Sequence, residues 1–379
     1  MKITILGAGL IGEPMAIDLA KDNKYQITVA DINETPLKKM SKDYPITTKQ
    51  MDLSNSENVR KVIESSDLVI NALPGFIGFQ TLEAIIRAKK NVVDIAFFPE
   101  DPFLLDEMAR RHNAIVLVDC GVSPGMSNIL AGHVNCLLDE TDNILTLVGG
   151  LPEQREWPYE YKAVFSPLDV IEEYTRPARY VENGKLVIKP ALSDSEYINF
   201  KDIGTLEAFN SDGLRTLLTT INAQNMKEKT LRYPGHIEKM AMLRETGFFS
   251  QQEIQINGSR IRPLDFTSKI LFPKWKLEEG EVDLTIMRVI IEGKKEKEKL
   301  RYTYDLFDRY DEATQTHSMA RTTGYTATVA TRMVLNGLYK KTGITAPEFI
   351  GKQPECVEFM LNGLKEKGVI FKETIEILD

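Results

Sequence analysis

The stretch Lys2-Ile3-Thr4-Ile5-Leu6-Gly7-Ala8-Gly9-Leu10-Ile11-Gly12 decides the fold of the N-terminal part of the chain. An apolar run of strand length ends in a Gly-x-Gly-x-x-Gly turn that opens a helix, and this context makes the glycine pattern informative. Gly7 permits the tight turn, Gly9 lets the backbone approach a pyrophosphate, and Gly12 allows close packing of helix on strand. Phosphate charge would meet the unpaired N–H groups at the helix N-terminus. The turn therefore predicts a dinucleotide site that includes Gly7, Gly9, Leu10, Ile11 and Gly12.

A carboxylate at the end of the second predicted strand indicates which dinucleotide binds. Asp31 lies about 20 residues beyond the glycines, where a carboxylate can accept hydrogen bonds from the adenosine ribose hydroxyls. Because a carboxylate repels a 2'-phosphate, we predict NAD as the cofactor in preference to NADP, although Lys38 or Lys39 could turn toward such a phosphate. The alternative is that Asp31 is simply an exposed strand-end residue.

From residue 1 to about 120, apolar runs of strand length alternate with amphipathic stretches of helix length. This pattern is typical of a parallel sheet covered on both faces. We therefore predict an α/β fold with an N-terminal doubly wound Rossmann sheet, followed by a second α+β domain for substrate binding and dimerisation. The predicted domains are residues 1–122, residues 123–335, and a C-terminal segment, 336–379, that packs back on the Rossmann domain. The predicted Rossmann strands span 2–7, 26–31, 47–53, 67–73, 91–96 and 114–119.

Residues at the carboxyl ends of these strands should face the ligand cleft, because doubly wound sheets bind ligands there. Asp52 follows the third strand and is predicted either to reach the adenine or to be an exposed loop carboxylate. Leu73 and Pro74, after the fourth strand, complete the predicted cofactor site. Asp94 ends the fifth strand and Gly121 follows the sixth, so both are candidates for the substrate side of the cleft.

Composition excludes several classes of protein. Asp and Glu number 55 against 47 Lys and Arg, so the net charge of -8 disfavours nucleic acid as a partner. No secretory signal is visible at the start, and no apolar stretch approaches the roughly 18 residues of a membrane span. The three cysteines form no CxxC pair, and His133 and Cys136 lack a second ligand pair for zinc. We expect a cytoplasmic protein without a metal site.

Four further motifs carry a resemblance to a known family. They are Asp119-Cys120-Gly121-Val122-Ser123-Pro124-Gly125-Met126, Val148-Gly149-Gly150-Leu151-Pro152, Thr230-Leu231-Arg232-Tyr233-Pro234-Gly235-His236 and Met319-Ala320-Arg321-Thr322-Thr323-Gly324-Tyr325. In this order and with the Rossmann turn, the chain resembles the saccharopine dehydrogenase family, and most closely the lysine 6-dehydrogenases. Saccharopine-forming members look like Leu-Asp-Pro-Gly at residues 122–125 and carry Cys at position 148. This chain has Ser123 and Val148 there, which favours the lysine branch.

The resemblance implies oxidation of the ε-amine of L-lysine, or of a close amino acid, with hydride transfer to NAD. Arg232 matches the carboxylate-binding arginine of the family, with a structural salt bridge as its alternative. Asp94 and His236 are candidates for proton handling, although a strand-end Asp can merely cap a turn and His236 can be a helix-start residue. Arg321 is predicted to contact substrate or to bridge domains, and Cys120 to be a small buried residue.

Two other functions remain open. One is a dehydrogenase acting on a secondary amine, of the saccharopine or carboxyspermidine type. The other is a nucleotide-binding regulatory protein without catalysis. For the enzyme, the expected partners are a small amino-acid substrate and a second copy of the chain in a homodimer.

Overall fold

A computed structural model describes residues 1–278 and 280–378, and its regular elements alternate along the chain. The strands are β1 (Lys2–Leu6), β2 (Gln26–Asp31), β3 (Ile46–Gln50), β4 (Leu68–Asn71), β5 (Asn91–Asp94), β6 (Ile115–Leu117), β7 (Glu140–Pro152), β8 (Ala178–Glu182), β9 (Lys185–Lys189), β10 (Glu196–Phe200), β11 (Gly204–Asn210), β12 (Asn225–Arg232), β13 (Ile254–Ile256), β14 (Ser259–Ile261), β15 (Asp283–Lys295), β16 (Glu298–Arg309), β17 (Gly343–Thr345) and β18 (Phe371–Leu378). The helices are α1 (Gly12–Ala20), α2 (Glu34–Asp43), α3 (Ser56–Ile63), α4 (Gly75–Arg87), α5 (Asp106–Arg111), α6 (Met126–Leu137), α7 (Pro167–Thr175), α8 (Leu217–Thr220), α9 (His236–Glu245), α10 (Pro263–Trp275), α11 (Tyr325–Leu335), α12 (Pro347–Gly351) and α13 (Pro354–Glu366).

The N-terminal sheet has the strand order β17-β6-β5-β4-β1-β2-β3, and every adjacent pair is parallel. The order reverses between β1 and β4, which is the position where doubly wound sheets bind nucleotides. Strand residues such as Ile5, Val29 and Ile70 are fully buried because helices cover both faces of the sheet. The predicted Rossmann fold is confirmed. The seventh strand, β17, comes from the C-terminal part of the chain and pairs with β6.

The compact units differ from the predicted domain boundaries. The first unit comprises Met1–Leu137 and Ala320–Phe371, and the second comprises Leu138–Met319 and the residues from Lys372 onward. Residues 123–137 and 320–335, which we assigned to the second domain, therefore belong to the first unit. For α6, the close packing against α12 accounts for its place in the first unit. A Cβ on Gly132 of α6 would lie 2.3 Å from the carbonyl oxygen of Glu348 in α12, so only glycine allows the two helices to approach this closely. The predicted C-terminal segment is also divided, since β18 joins the sheet of the second unit.

The second unit is built on a mixed sheet with the order β10-β11-β12-β7-β15-β16-β18, and β8 and β9 extend from β12. The long strand β7 pairs antiparallel with β15 and parallel with β12. On this sheet, α7, α9 and α10 contribute to a core that includes Tyr174, Phe209 and Trp275. The predicted second domain with mixed helices and strands is confirmed. No helix within the described ranges is both long and apolar enough to cross a membrane.

The chain is helical from Ser318 to Leu335, and a π-helical turn lies within this stretch. Ala320–Gly324 form the π-helical turn, and α11 follows it from Tyr325. Gly324 lies close to α1, because a Cβ there would come within 3.0 Å of Met15 Cγ. The turn thus brings the Met-Ala-Arg-Thr-Thr-Gly-Tyr motif onto the first helix of the Rossmann unit.

Candidate active site

Packing of the fold requires glycine at two positions of the glycine-rich turn, whereas the third glycine has free space where a Cβ would lie. Gly7 has φ +104°, and a Cβ there would lie 2.6 Å from the Ala72 carbonyl oxygen. A Cβ on Gly12 would lie 2.1 Å from the Gly7 carbonyl oxygen. By contrast, a Cβ on Gly9 would meet no heavy atom within 4 Å. Gly7 and Gly12 therefore allow the backbone to pack, whereas Gly9 leaves free space in front of the turn.

The start of α1 offers the chemistry of an anion site. The N-cap residue of α1, Ile11, makes no capping hydrogen bond through its side chain, and Leu10 beside it is exposed. The N–H groups of a first helical turn that lack side-chain caps carry partial positive charge and can bind phosphate. The turn thus fits a dinucleotide pyrophosphate, both in the space at Gly9 and in the charge of its amides.

Asp31, at the end of β2, accepts a hydrogen bond from the backbone of this turn. Its Oδ2 accepts a hydrogen bond of 2.6 Å from the Ala8 N–H, and its Oδ1 accepts one of 2.7 Å from the Asn33 N–H. A carboxylate has about four lone-pair sites, so two amide donors leave capacity for ribose hydroxyls. The carboxylate is partly exposed and lies directly beside the backbone of the glycine-rich turn.

The remaining predicted cofactor residues lie at the same edge of the sheet in different settings. Asp52 is exposed and turns back on its own loop, where its Oδ1 accepts hydrogen bonds from Ser54 Oγ at 2.7 Å and Ser54 N–H at 2.9 Å. These bonds, first that from the Ser54 hydroxyl, lower the pKa of the Asp52 carboxyl. Leu73 is buried, and Pro74 occupies the N-cap of α4. Their roles toward a cofactor stay predictions.

Asp94 is completely buried at the end of β5. Its Oδ2 accepts a hydrogen bond of 2.7 Å from Asn71 Nδ2, and its Oδ1 accepts one of 2.7 Å from the Ala96 N–H. Its backbone carbonyl also accepts the N–H of Cys120 at 2.9 Å. The residue therefore joins the ends of three neighbouring strands, β4, β5 and β6. Its role as a proton acceptor stays a prediction.

The segment after β6 is shaped by close backbone packing. A Cβ on Gly121 would lie 3.2 Å from both the Pro124 carbonyl oxygen and Thr323 Cγ2, so this position admits little more than glycine. Burial, with the nearby carboxylates of Asp119 and Asp94, raises the pKa of the Cys120 thiol to about 12. The thiol is therefore protonated and unreactive at neutral pH.

Arg321 is anchored within the first unit. Its Nη2 donates to the Lys367 carbonyl oxygen at 3.1 Å, and its guanidinium lies 5.9 Å from the ring centre of Tyr325. The side chain is nearly buried. The predicted substrate contact of Arg321 remains a hypothesis.

Arg232, at the end of β12, lies in an aromatic enclosure of the second unit. Its Nε donates to Tyr174 Oη at 3.1 Å, Nη1 to the Leu231 carbonyl at 2.9 Å and Nη2 to Glu173 Oε2 at 2.6 Å. The guanidinium also lies over the ring of Tyr161, at 4.5 Å from its centre. Burial opposes the charge of Arg232, but Tyr174, Tyr161 and Glu173 outweigh it and raise its pKa above the usual value. The guanidinium is 2% exposed, which fits the salt-bridge alternative of the sequence analysis.

His236 begins α9 with both ring nitrogens in hydrogen bonds, and its role in proton handling stays a prediction. Its Nδ1 lies 2.8 Å from the Tyr159 carbonyl and must donate to it, which leaves Nε2 to accept from Tyr174 Oη at 2.9 Å. Burial, and next the positive charge of Arg232, lower the pKa of His236 to about 3. With this pKa the ring is neutral at pH 7. The Tyr174 hydroxyl lies between His236 Nε2 and Arg232 Nε, so His236 helps to orient it.

Sequence reasoning missed the residues that enclose Arg232. Glu173 and Tyr174 lie on α7, and Tyr161 lies in the loop before it, far from Arg232 along the chain. No local pattern links these positions, because the packing of α7 against the end of β12 creates the enclosure. Over the described part of the chain, no group of three or more His, Cys, Asp or Glu side chains is placed to hold a metal ion.

Two family models together match most of the chain. Residues 3–117 match the saccharopine dehydrogenase NADP binding domain, and residues 121–369 match the saccharopine dehydrogenase C-terminal domain. The boundary between the two matches falls in the segment after β6.

Individual relatives are distant in sequence. The mitochondrial alpha-aminoadipic semialdehyde synthase of Mus musculus is 24% identical over 286 residues, which cover 69% of this chain and 30% of that protein. The chain thus spans about 30% of the length of this relative. The carboxynorspermidine synthase of Vibrio cholerae is 22% identical, with 93% of each chain covered. The apo saccharopine dehydrogenase (L-Glu forming) of Saccharomyces cerevisiae superposes with a TM-score of 0.81 at 20% identity over 99% of both chains, which shows a common fold.

Proposed function

Because the chain belongs to the saccharopine dehydrogenase family, we propose that it is a nicotinamide-dinucleotide-dependent oxidoreductase that acts on a carbon bearing an amine nitrogen. The observation that carries this proposal is the turn of residues 7–12. Two of its glycines are held against the backbone, while the space in front of Gly9 is free for a pyrophosphate. When bound, the dinucleotide supplies the acceptor for a hydride from the substrate carbon.

We further propose NAD as the cofactor. The Asp31 carboxylate next to the Ala8 amide would accept the ribose hydroxyls and would repel a 2'-phosphate. Each of the two lysines that follow has a carboxylate partner, since Lys38 pairs with Glu34 at 2.8 Å and Lys39 lies 3.4 Å from Glu13. The matching family model describes an NADP binding domain, so the proposed preference for NAD rests on the residues of this chain alone.

The proposed substrate is an amino acid whose carboxylate binds Arg232. The carboxylate of Glu173, 2.6 Å from Nη2, indicates that this guanidinium accommodates a carboxylate partner. The guanidinium donates to Tyr174, to the Leu231 carbonyl and to Glu173, and it also faces the ring of Tyr161. Tyr174 and His236 hold the planar group in one orientation, which a bidentate contact requires.

For the reaction, we propose oxidative deamination of L-lysine, or a close amino acid, at the ε-amine, with release of ammonia. The chain carries Ser123, whose hydroxyl lies 2.9 Å from that of Ser127, and the nearly buried Val148, where the saccharopine-forming pattern has an acid and a thiol. The second candidate is a reaction on a secondary amine. The match to a carboxynorspermidine synthase over 93% of both chains favours it.

Absorbance of the reduced nicotinamide, measured with the purified full chain, tests these alternatives. NAD with L-lysine alone should produce reduced cofactor, whereas the second candidate needs saccharopine or a carboxylated polyamine. NADP in place of NAD should give a lower kcat/KM. Dinucleotide binding in calorimetry without turnover on a broad amine panel would support a regulatory protein, and no binding of either dinucleotide would refute the proposal.

A further inference from the structure

Four Asn-Gly pairs occur in the sequence, and they differ in how the backbone N–H of the glycine is used. Asparagine is a thermolabile residue, and it is most reactive before glycine, because no side chain shields the backbone nitrogen that follows it. That nitrogen can attack the side-chain carbonyl carbon of the asparagine only when it is released from other hydrogen bonds. The pairs are Asn183-Gly184, Asn257-Gly258, Asn336-Gly337 and Asn362-Gly363.

Three of the four glycine N–H groups are held by the fold. Gly184 N–H donates to the Gln224 carbonyl oxygen at 2.8 Å, and Gly337 N–H donates to the Val334 carbonyl oxygen at 3.0 Å. Gly363 lies inside α13, where each backbone N–H donates to the carbonyl four residues earlier. Each of these nitrogens would have to break a backbone hydrogen bond before it could attack the preceding side chain.

The fourth pair, Asn257-Gly258, forms the two-residue turn between β13 and β14. Its φ angles are +50° and +82°, and positive φ at both central residues is the geometry of a type I′ hairpin turn. Within the ranges that the structure describes, the Gly258 N–H donates no hydrogen bond. Every residue from 251 to 260 is exposed, so solvent reaches both the Asn257 amide and the nitrogen that follows it.

The surroundings of this turn also allow it to open. Closure of a ring between the Asn257 side chain and the next nitrogen changes the backbone angles, so the hairpin must open locally first. Strands β13 and β14 form a two-stranded sheet of their own, and an isolated hairpin is only marginally stable in water. Local opening there needs little free energy. The hairpin of Asn183 differs, because its strand β8 also pairs with β12.

We propose that Asn257 is a site of spontaneous deamidation. The Gly258 nitrogen loses its proton to solvent and forms a bond to the side-chain carbonyl carbon of Asn257. The bond from this carbon to the amide nitrogen breaks, and the amide nitrogen takes up a proton and leaves as ammonia. A water molecule then opens the five-membered succinimide at either of its two carbonyl groups, which gives aspartate or isoaspartate. One water is consumed and one ammonia is released, without an oxidant or reductant.

The two products should affect the hairpin differently. Aspartate keeps the normal backbone and tolerates a positive φ angle, so the turn can be retained. Isoaspartate carries the chain through its side-chain carbon and adds one backbone atom, which a two-residue turn cannot accommodate. No residue of the described hairpin 254–261 belongs to the core around Trp275, so the rest of the second unit should keep its fold.

Peptide mapping by mass spectrometry tests the site in the full chain. After incubation in warm, mildly alkaline buffer, conversion at Asn257 should exceed conversion at each of the other three Asn-Gly pairs at least tenfold. The rate should rise with pH, because the Gly258 nitrogen must lose its proton, and an isoaspartyl methyltransferase should label the hairpin peptide. Equal conversion at Asn183, or an Asn257 that stays intact, would overturn the proposal.

A disulfide across the hairpin tests whether local opening controls the reaction. Gln255 and Arg260 lie opposite each other, and opposite Cα atoms of an antiparallel pair are about 4.5–5.5 Å apart, within the disulfide range of about 4.4–6.8 Å. In a Cys136→Ser background, the Gln255→Cys/Arg260→Cys chain should deamidate at least tenfold more slowly when oxidised than when reduced. Equal rates in the two states, with the disulfide verified in the peptide map, would refute the role of hairpin opening. Neither experiment uses cofactor or substrate, so its outcome is independent of the proposed reaction.

Discussion

The substitution Gly9→Ala separates cofactor binding from folding. Apart from its chain neighbours, a Cβ at Gly9 meets no heavy atom of the described residues within 4 Å, and Gly9 does not have a positive φ angle. Alanine should therefore fit, and the loss of backbone freedom in the unfolded chain should even stabilise the fold by about 0.4–1 kcal/mol. The added methyl group would stand where the pyrophosphate must approach the backbone.

The magnitude of the cofactor effect follows from the bonds at the turn. A hydrogen bond from a backbone N–H to a charged phosphate contributes roughly 1.5–3 kcal/mol. Loss of one such bond should raise the NAD dissociation constant about 10- to 150-fold. Gly7→Ala provides the matched control, because φ +104° and the Ala72 carbonyl at 2.6 Å make alanine unfavourable there. Gly7→Ala should lower the free energy of unfolding by about 1–3 kcal/mol and should also weaken NAD binding.

Calorimetric titration with NAD and thermal unfolding without cofactor measure the two effects separately. For a unit of this size, each kcal/mol shifts the melting temperature by about 2–4 °C. Gly9→Ala should keep or slightly raise the melting temperature and lose affinity, whereas Gly7→Ala should lose both. If Gly9→Ala bound NAD like the unmodified chain, the pyrophosphate would not lie at this turn and the cofactor assignment would be wrong.

Three further predictions concern single side chains. Asp31→Asn should lower the preference for NAD over NADP at least tenfold in measured dissociation constants, because it removes the charge that repels a 2'-phosphate; an unchanged ratio would contradict this assignment. The imidazole of His236 binds a proton below about pH 6.5 in the unfolded chain, but only below about pH 3 in the folded chain. The free energy of unfolding should therefore fall as the pH drops below 6.5, by up to about 1.4 kcal/mol per pH unit. In denaturant titrations at several pH values, His236→Asn should flatten this slope, and an equal slope would show that the ring is not buried as described. Iodoacetamide should label Cys136 in the native chain but not Cys120 or Cys356, because burial raises the pKa values of those two thiols to about 12 and about 11. Mass spectrometry measures the labelling, and modification of Cys120 or Cys356 in the native chain would contradict the prediction.

The Rossmann unit was predictable because its signals are local. Strands such as β1 and β4 are short apolar runs, and the glycine pattern marks the first crossover. The strand β17, Gly343–Thr345, gives no such signal, since Ile344 is its single large apolar residue. It forms because the edge of β6 is open to pairing, which is a property of the folded sheet. The same holds for α6, whose place in the first unit depends on the contact of Gly132 with α12.

The candidate site was predictable only in part, because burial decides the chemistry of its side chains. Arg232 was identified from its motif, but its partners Glu173 and Tyr174 come from a helix about sixty residues earlier in the chain. His236 was predicted either to handle a proton or to be a polar residue at a helix start, because an unperturbed imidazole has a pKa near 6.5. In the fold, the enclosure lowers that pKa to about 3, and the residue becomes a hydrogen-bond acceptor for Tyr174.

The enclosure of Arg232 has a further consequence for how this residue should be tested. Removing Arg232 would leave the partly buried Glu173 without its partner and empty a buried site, so Arg232→Ala would mix unfolding with loss of binding. Glu173→Gln is the more informative change, because it keeps the shape and a hydrogen-bond acceptor but removes the competing negative charge. If the guanidinium binds a substrate carboxylate, this change should lower KM for the amino acid and leave the NAD dissociation constant unaltered. A structural salt bridge alone would instead lower the melting temperature and leave KM where it was.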